Sequence, residues 1–286
     1  MLFVRETFRD ILSRPGCTLA ANIFDPLSAR IAHMLDYEVC FLSGSVGKVA
    51  NLGIPDIVLS NMSDLVDHCR RITRMADVSL MVDGEDGFGN AVNVMRTVRE
   101  LEAAGVSAIE IEDNIAPVRF NGEDPGLVSK AEQVGKLEAA VAARTDPTTV
   151  IVTRTAALSY CSLEEALDRM RAYAQTGAEV IRLVGLQTRE QLEAIHEVTA
   201  LPLTVLSPPD DIRDDRAFLA ANGVKILMLG NPVFAMAVKS IYDGLKHLKD
   251  GGAIEALSDR QASSELLQRV NRTEEFVRFQ QQFLRS

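Results

Sequence analysis

Asp83, Glu85 and Asp86 crowd together among Gly84, Gly87 and Gly89 in the run LMVDGEDGFGN, which begins at Leu80. An apolar segment suited to a strand ends abruptly in this acidic, tightly turning stretch. Carboxylates at that density repel one another, so they stay charged only in water or beside a cation, and otherwise hold protons. A hard divalent ion is the cation such an all-oxygen set suits. The plainer reading is an acidic loop ahead of the helix expected from Ala91, since negative charge favours a helix N-terminus.

The elements that must position this turn are legible as a repeat. Short β-branched runs alternate with amphipathic stretches of helical period. Strands are expected at 18–24, 39–42, 79–82, 108–111, 150–153, 180–184, 203–206 and 225–229, and helices at 26–36, 62–76, 91–104, 130–144, 163–176, 189–198, 213–221 and 233–249. Gly105, Gly177 and Gly223 each stand between a helix and a strand, where the chain needs positive φ. Eight such alternations in 286 residues predict an α/β chain with a closed (β/α)8 TIM-type barrel over 1–250, an open doubly wound sheet being the alternative. Residues 251–286 open with Gly251 and Gly252 and read as a helical extension, packed on a neighbouring subunit or lying on the surface.

A barrel of this kind carries its chemistry at the C-terminal ends of its strands. Ser43, Gly44 and Ser45 follow the second strand, with Asp56 in the next loop; Asp83 and Glu85 follow the third. Glu112 and Asp113 end the fourth, Arg154 ends the fifth and Asn231 follows the eighth. Between the fourth strand and its helix, the loop 114–129 is longer than a connection needs and reads as a lid.

Composition and motifs exclude several classes. With 30 basic against 40 acidic residues, a formal net charge of -10 and no Lys/Arg-rich run, no nucleic-acid partner is expected. The segment MLFVRETFRD lacks a signal-peptide core, and no stretch reaches the uncharged length of a membrane span. Cys17, Cys40, Cys69 and Cys161 form no CxxC pair, which argues against zinc ribbons and disulfide frameworks and for reduced thiols in a cytoplasmic protein. His33, His68, His196 and His247 all fall in expected helices, so hydrolase triads and zinc sites are disfavoured. GSVGK, Gly44 to Lys48, lacks the spacing of a phosphate loop, and Lys48 reads as an ordinary loop or helix lysine. Gly84, Gly87 and Gly89 likewise fail the dinucleotide order.

Three segments, SGSVGKVANLGIPD (Ser43 to Asp56), VDGEDGFGNAVNVMRTVRELEAAGVSAIEIED (Val82 to Asp113) and TRT (Thr153 to Thr155), resemble the isocitrate lyase and phosphoenolpyruvate mutase superfamily. The resemblance runs from about Phe24 to Lys249 and implies a (β/α)8 barrel with Mg²⁺. It also implies a homotetramer, or a dimer of helix-swapped dimers, in which a C-terminal helix is exchanged between subunits. FDPLSARIA, GNAVNVMRTV and VGKLEAAVAAR look most like the oxaloacetate decarboxylase branch. The chain departs from that pattern at Glu85, where an Asp is usual, and at Ala156, where an Asn or Asp is usual. Pro208 and Asn231 occupy places of a tyrosine and a histidine of that branch. The loop NIAPVRFNGEDPG, Asn114 to Gly126, lacks both the cysteine motif of the carbon–carbon lyases and the KTNS-type loop of the mutases and phosphonopyruvate hydrolases.

These readings predict a Mg²⁺-dependent decarboxylase of a small 2-oxo dicarboxylic acid, oxaloacetate or a related 2-oxo-4-carboxylate, acting through a metal-stabilised enolate. Decarboxylation needs no protein acid for its departing CO₂. In this reading Asp83 binds the metal directly, and Glu85, Glu112 and Asp56 hold it through waters. Asp56, Glu112 and Arg154 form the catalytic set, and Ser43, Gly44 and Ser45 donate to the substrate. Arg154 grips a substrate carboxylate rather than forming a structural ion pair with neighbouring acids. Asn231 orients the leaving end or caps the helix before Pro232. The alternatives are a carbon–carbon or carbon–phosphorus lyase or mutase with a 2-methylisocitrate-like or phosphonopyruvate-like substrate, and a non-catalytic barrel that binds metal and ligand.

Overall fold

The computed structural model describes residues 2–117 and 126–284. Of the lid expected over 114–129, the half 118–125 lies outside the described residues. The strands are β1 (Thr18–Leu19), β2 (Ala21–Ile23), β3 (Val39–Leu42), β4 (Ser79–Asp83), β5 (Ala108–Glu112), β6 (Val150–Thr155), β7 (Val180–Leu183), β8 (Leu203–Leu206) and β9 (Val224–Met228). All pair in parallel, in the order β1-β9-β8-β7-β6-β5-β4-β3-β2. Only Ala20 separates β1 from β2, and its N–H donates to Leu227 O at 2.9 Å, so the segment 18–23 closes the ring. The result is the expected TIM-type barrel, and the open doubly wound sheet is set aside.

Strand alternation sorts the side chains into two layers. Cys40, Leu42, Leu80, Val82, Ile109, Ile111 and Ile151 face outward into a core shared with the covering helices. Phe41, Met81, Ala108, Val150, Val152, Val180 and Ile226 face inward and fill the barrel. Glu110, Glu112, Arg154, Arg182 and Asp83 continue the inward register, so the lumen changes from apolar to charged towards the strand C-termini. The opposite end is plugged by helix Leu2–Ser13, which sequence patterning left unassigned: Phe8 and Ile11 are buried in the lumen cluster, and Arg5 Nε donates to Val106 O at 2.9 Å.

The expected elements recur with small shifts at their ends, and Gly105, Gly177 and Gly223 adopt φ of 89°, 89° and 78°. Two further differences concern the site. The stretch after β3 is a helix, Gly44–Leu52, and the chain divides into compact units Met1–Asn231 and Pro232–Ser286. By compactness the division falls before helix Pro232–Lys249, whereas the sequence reading places its boundary at 250. That helix has no buried residue, and its stripe Val238, Ile241, Leu245 and Leu248 is exposed, which explains why patterning read it as a barrel-covering helix. The second unit continues through helices Ser264–Val270 and Thr273–Phe283. No helix among the described residues is long and apolar enough to cross a membrane.

Candidate active site

The acidic turn is held from both ends. On the strand side, Gly84 N–H donates to Glu110 O at 2.9 Å, and a Cβ at Gly84 would lie 2.5 Å from that oxygen, so only glycine fits. On the helix side, Asn90 caps helix Ala91–Ala103, accepting from Val92 N–H at 3.0 Å and Asn93 N–H at 3.3 Å, while Asn93 returns a bond to Asn90 N–H. Between these anchors Glu85 sits at φ 54°, a left-handed conformation that costs a non-glycine residue about 1 kcal/mol or more. Glu85 N–H donates to Asp83 Oδ1 at 3.1 Å, and Glu112 N–H to Glu85 O at 2.9 Å. The turn thus aims the Asp83 and Glu85 carboxylates at the barrel mouth beside Glu112.

Helix Gly44–Leu52 approaches from the next strand. Gly44 N–H points at Asp83 Oδ2, 3.4 Å away, and a Cβ there would collide with Glu85 Oε1. Ser43 occupies the N-cap position but makes no capping bond; its Oγ lies 3.1 Å from Ser45 Oγ. Ser43 thus supplies no cap, and the first-turn N–H that has a side-chain partner, Gly44, meets the Asp83 carboxylate, as suits a helix end that favours anions. Asp56 is half-exposed and bonds Lys48 Nζ at 2.6 Å.

Arg154 is where the structure departs from expectation. Its Nη1 lies 2.9 Å from Asp83 Oδ2, 2.7 Å from Glu112 Oε2 and 3.6 Å from Glu110 Oε1. It pairs with the site's own acids, an ion pair the sequence reading did not expect, and without it Asp83 and Glu112 would confront each other unneutralised. Beneath it Arg182 pairs with Glu110 and stacks over the Phe41 ring, its guanidinium carbon 4.4 Å from the centroid. Asp113, at the end of the same strand, serves as a latch: it accepts from Thr155 Oγ1 at 2.7 Å, Ala156 N–H at 3.2 Å and Tyr173 Oη at 3.0 Å. Asp86 pairs with buried Lys136 at 3.5 Å. Asn231 accepts from Asn22 Nδ2 at 3.3 Å, and Pro208 is buried after Ser207, whose φ is 44°.

Sequence patterning missed Lys48, Glu110, Arg182 and Tyr173. For Glu110 and Arg182 the signal was present: AIEIE puts Glu110 and Glu112 on one face of a strand, and VIRL puts Arg182 on the lumen side. Lys48, read as an ordinary lysine, is 6% exposed and bonds Glu85 as well as Asp56. Its burial follows from the unrecognised helix, which places it one turn beyond Gly44.

The charges do not balance. Four buried carboxylates, Asp83, Glu85, Glu110 and Glu112, share Lys48, Arg154 and Arg182. Burial pushes Glu112 up to about 8, Arg154 only partly offsetting it while Asp83, Glu85 and Glu110 add to it. Burial, then Asp83, raises Glu85 to about 7 despite Lys48. Burial works upward on Asp83 too, yet the guanidinium groups of Arg154 and Arg182 outweigh it and hold that carboxyl below its ordinary value. One committed anion beside two acids that resist ionising is the signature of a site one cation short. A hard divalent ion fits. Among the described residues no group of three or more His, Cys, Asp or Glu is placed to hold a metal ion by itself.

The family model described as phosphoenolpyruvate phosphomutase matches residues 8–249. The chain belongs to this family. It is 42% identical over 268 residues to the oxaloacetate decarboxylase of Rhodopseudomonas palustris (strain BisA53), covering 94% of this chain and 92% of that one. The crystal structure of phosphoenolpyruvate phosphomutase from Streptomyces platensis subsp. rosaceus matches with a TM-score of 0.86 at 28% identity, covering 98% of this chain and 99% of that one. A phosphonopyruvate hydrolase in complex with oxalate and Mg²⁺ matches with the same TM-score and identity, covering 99% of each chain. The chain is accordingly a lyase, and the non-catalytic barrel is set aside.

Proposed function

We propose that this chain decarboxylates oxaloacetate or a closely related 2-oxo-4-carboxylate with Mg²⁺ as its cation. The observation that carries the reading is the surplus of buried carboxylate at the mouth, beside the helix N-terminus at Gly44. The similarity to proteins named oxaloacetate decarboxylase supports the choice of substrate. Asp83, the carboxyl that stays ionised, holds the cation, with Glu112, Glu85 and Asp56 around it through water. A divalent cation bound there supplies a Lewis acid for the oxygen on which charge develops as the C3–C4 bond breaks and CO₂ leaves. The N–H groups of Gly44 and Ser45 and the hydroxyls of Ser43 and Ser45 face the substrate's C1 carboxylate. Arg154 fixes Asp83 and Glu112 at a set separation and stabilises negative charge at the mouth. Protonation at C3 of the released enolate gives pyruvate.

The test is ¹H NMR of oxaloacetate with the protein and increasing Mg²⁺, corrected for the uncatalysed reaction, with phosphonopyruvate and 2-methylisocitrate run in parallel. Mg²⁺-dependent pyruvate formation that Asp83→Ala abolishes is expected. Turnover of phosphonopyruvate alone would move the reading to carbon–phosphorus cleavage, an outcome the phosphonopyruvate hydrolase likeness keeps in view.

We further propose a homotetramer built from helix-swapped dimers. Exposed Val238, Ile241, Leu245 and Leu248 on one copy's helix Pro232–Lys249 are matched by Leu27, Ile31 and Leu35 exposed along helix Pro26–Met34 and its C-cap on another copy. Light scattering should give four chains for the wild type and fewer for Ile241→Glu with Leu245→Glu; a monomeric wild type refutes the assembly. The cytoplasm is the compartment proposed, in keeping with four free cysteines, two of them buried.

A further inference from the structure

Beneath the mouth the lumen holds a pair of opposite charges that the proposed chemistry leaves unused. Glu110 is fully buried and Arg182 nearly so, on a lumen face that otherwise carries Phe41, Val152, Val180 and Ile226. Arg182 Nη1 bonds Glu110 Oε1, and its guanidinium carbon lies 4.4 Å from the Phe41 ring centroid. Replacing such a buried pair by apolar side chains of similar size commonly leaves stability unchanged or improves it, so stability alone does not account for these charges.

Their place in the barrel does. Arg154 and Arg182 are register partners across β6 and β7, so two guanidinium groups on neighbouring strands face the same lumen, where like charges repel. Glu110 is the anion between them: the Oε1 that Arg182 bonds also lies 3.6 Å from Arg154 Nη1. The other partners of Arg154 are Asp83 and Glu112, carboxylates of the metal-binding set. A divalent ion among them neutralises their pull on the guanidinium and repels it. Glu110 stands two residues before Glu112 on the same strand, one layer deeper, and keeps its charge beneath Arg154 whatever occupies the mouth. The contact also has room to tighten. Among the described residues, Glu110 Oε2 and Arg154 Nε are buried atoms without a hydrogen-bond partner, as is Arg182 Nε, so a two-bonded fork is available between Glu110 and Arg154.

We propose that Glu110 is a positioning residue for Arg154, holding its guanidinium at the mouth when Asp83 and Glu112 are engaged by a cation, and that Arg182 fixes Glu110 from below. The inference rests on the metal-binding reading given under Proposed function and leaves every carboxylate named there in its role. Arg154 thereby stays beside the substrate as a positive group without drawing Asp83 or Glu112 away from the cation.

The experiment is isothermal titration calorimetry of the full chain with oxalate, which matches the planar enolate of pyruvate, at saturating Mg²⁺, beside a Mn²⁺ titration read by electron paramagnetic resonance. Glu110→Leu with Arg182→Met removes one charge of each sign, so the net charge below the mouth is unchanged. This double variant should bind oxalate about ten-fold more weakly, while its Mn²⁺ affinity stays within about three-fold of the wild type. In an Arg154→Lys background, which lacks the fork, the same replacement should change oxalate affinity by less than about three-fold. Oxalate binding within about three-fold of the wild type by the folded double variant overturns the proposal. So does a parallel loss of both affinities, or an undiminished loss of oxalate binding in the Arg154→Lys background, since a merely structural pair would give either. Should the double variant fail to fold, Glu110→Gln decides: removing an anion would by charge alone tighten oxalate, so weaker binding supports the proposal and equal or tighter binding overturns it. A wild type that binds no Mn²⁺ refutes the metal-binding reading, and the oxalate comparison made without Mg²⁺ then decides the role of Glu110 by the same criteria. A wild type that binds oxalate under neither condition overturns both.

Discussion

Raising the pH of the metal-free protein should destabilise it, and a divalent ion should reverse the effect. Burial holds the Glu112 carboxyl at about 8, against an ordinary value of 4.5, and Glu85 at about 7. A folded-state value above the unfolded one means that the native protein binds the extra proton. The resulting stability is fully present below about pH 4.5 and is lost as pH rises through about 8. For Glu112 alone, the loss between pH 6 and pH 8 is about 2 kcal/mol, about half of the proton being given up across that interval. In a unit the size of this barrel that corresponds to a fall in Tm of about 4–8 °C. Glu85, raised by burial and then by Asp83, adds in the same direction. Divalent metal favours the ionised carboxylates, so the Mg²⁺-induced rise in Tm should be larger at pH 8 than at pH 6. Differential scanning fluorimetry with EDTA or excess Mg²⁺ at the two pH values measures both effects, and Glu112→Gln should flatten the EDTA curve. A Mg²⁺-induced shift that is equal at both pH values, or larger at pH 6, would refute the charge argument for the site.

Arg154→Lys keeps the charge but loses the reach that holds both Asp83 and Glu112. With one charged hydrogen bond worth about 1.5–3 kcal/mol, kcat/KM should fall by roughly ten-fold to over a hundred-fold, and wild-type kinetics would refute the role. Gly44→Ala drives a methyl into Glu85 Oε1, so activity should drop by about ten-fold or more with little change in Tm; full activity would show that the turn yields easily. Tyr173→Phe strips one of three donors from buried Asp113 and should cost about 1–3 kcal/mol of stability while Mn²⁺ affinity holds; a change in Mn²⁺ affinity would mean the latch reaches the site.

The sequence by itself determined the barrel and the location of its mouth. Eight alternations of buried strand and amphipathic helix have few packings that bury both, and Gly105, Gly177 and Gly223 punctuate them at the positions where φ is positive. It also placed Asp83, Glu85 and Glu112 together, because a parallel barrel gathers its strand ends whatever the intervening chain does. What it left open was which charge meets which. Arg154 as a substrate clamp and Arg154 as the bridge between Asp83 and Glu112 differ only in a side-chain direction set by neighbours on other strands. Lys48 looked ordinary because the helix that buries it begins with Gly44 and Ser45, residues weak in helix propensity, and is stabilised by packing under the acidic turn. Helix Pro232–Lys249 shows the same limit from the other side: an apolar stripe announces that it will be covered, but the tertiary structure decides which unit it joins, because hydrophobic burial has no direction until a surface is present.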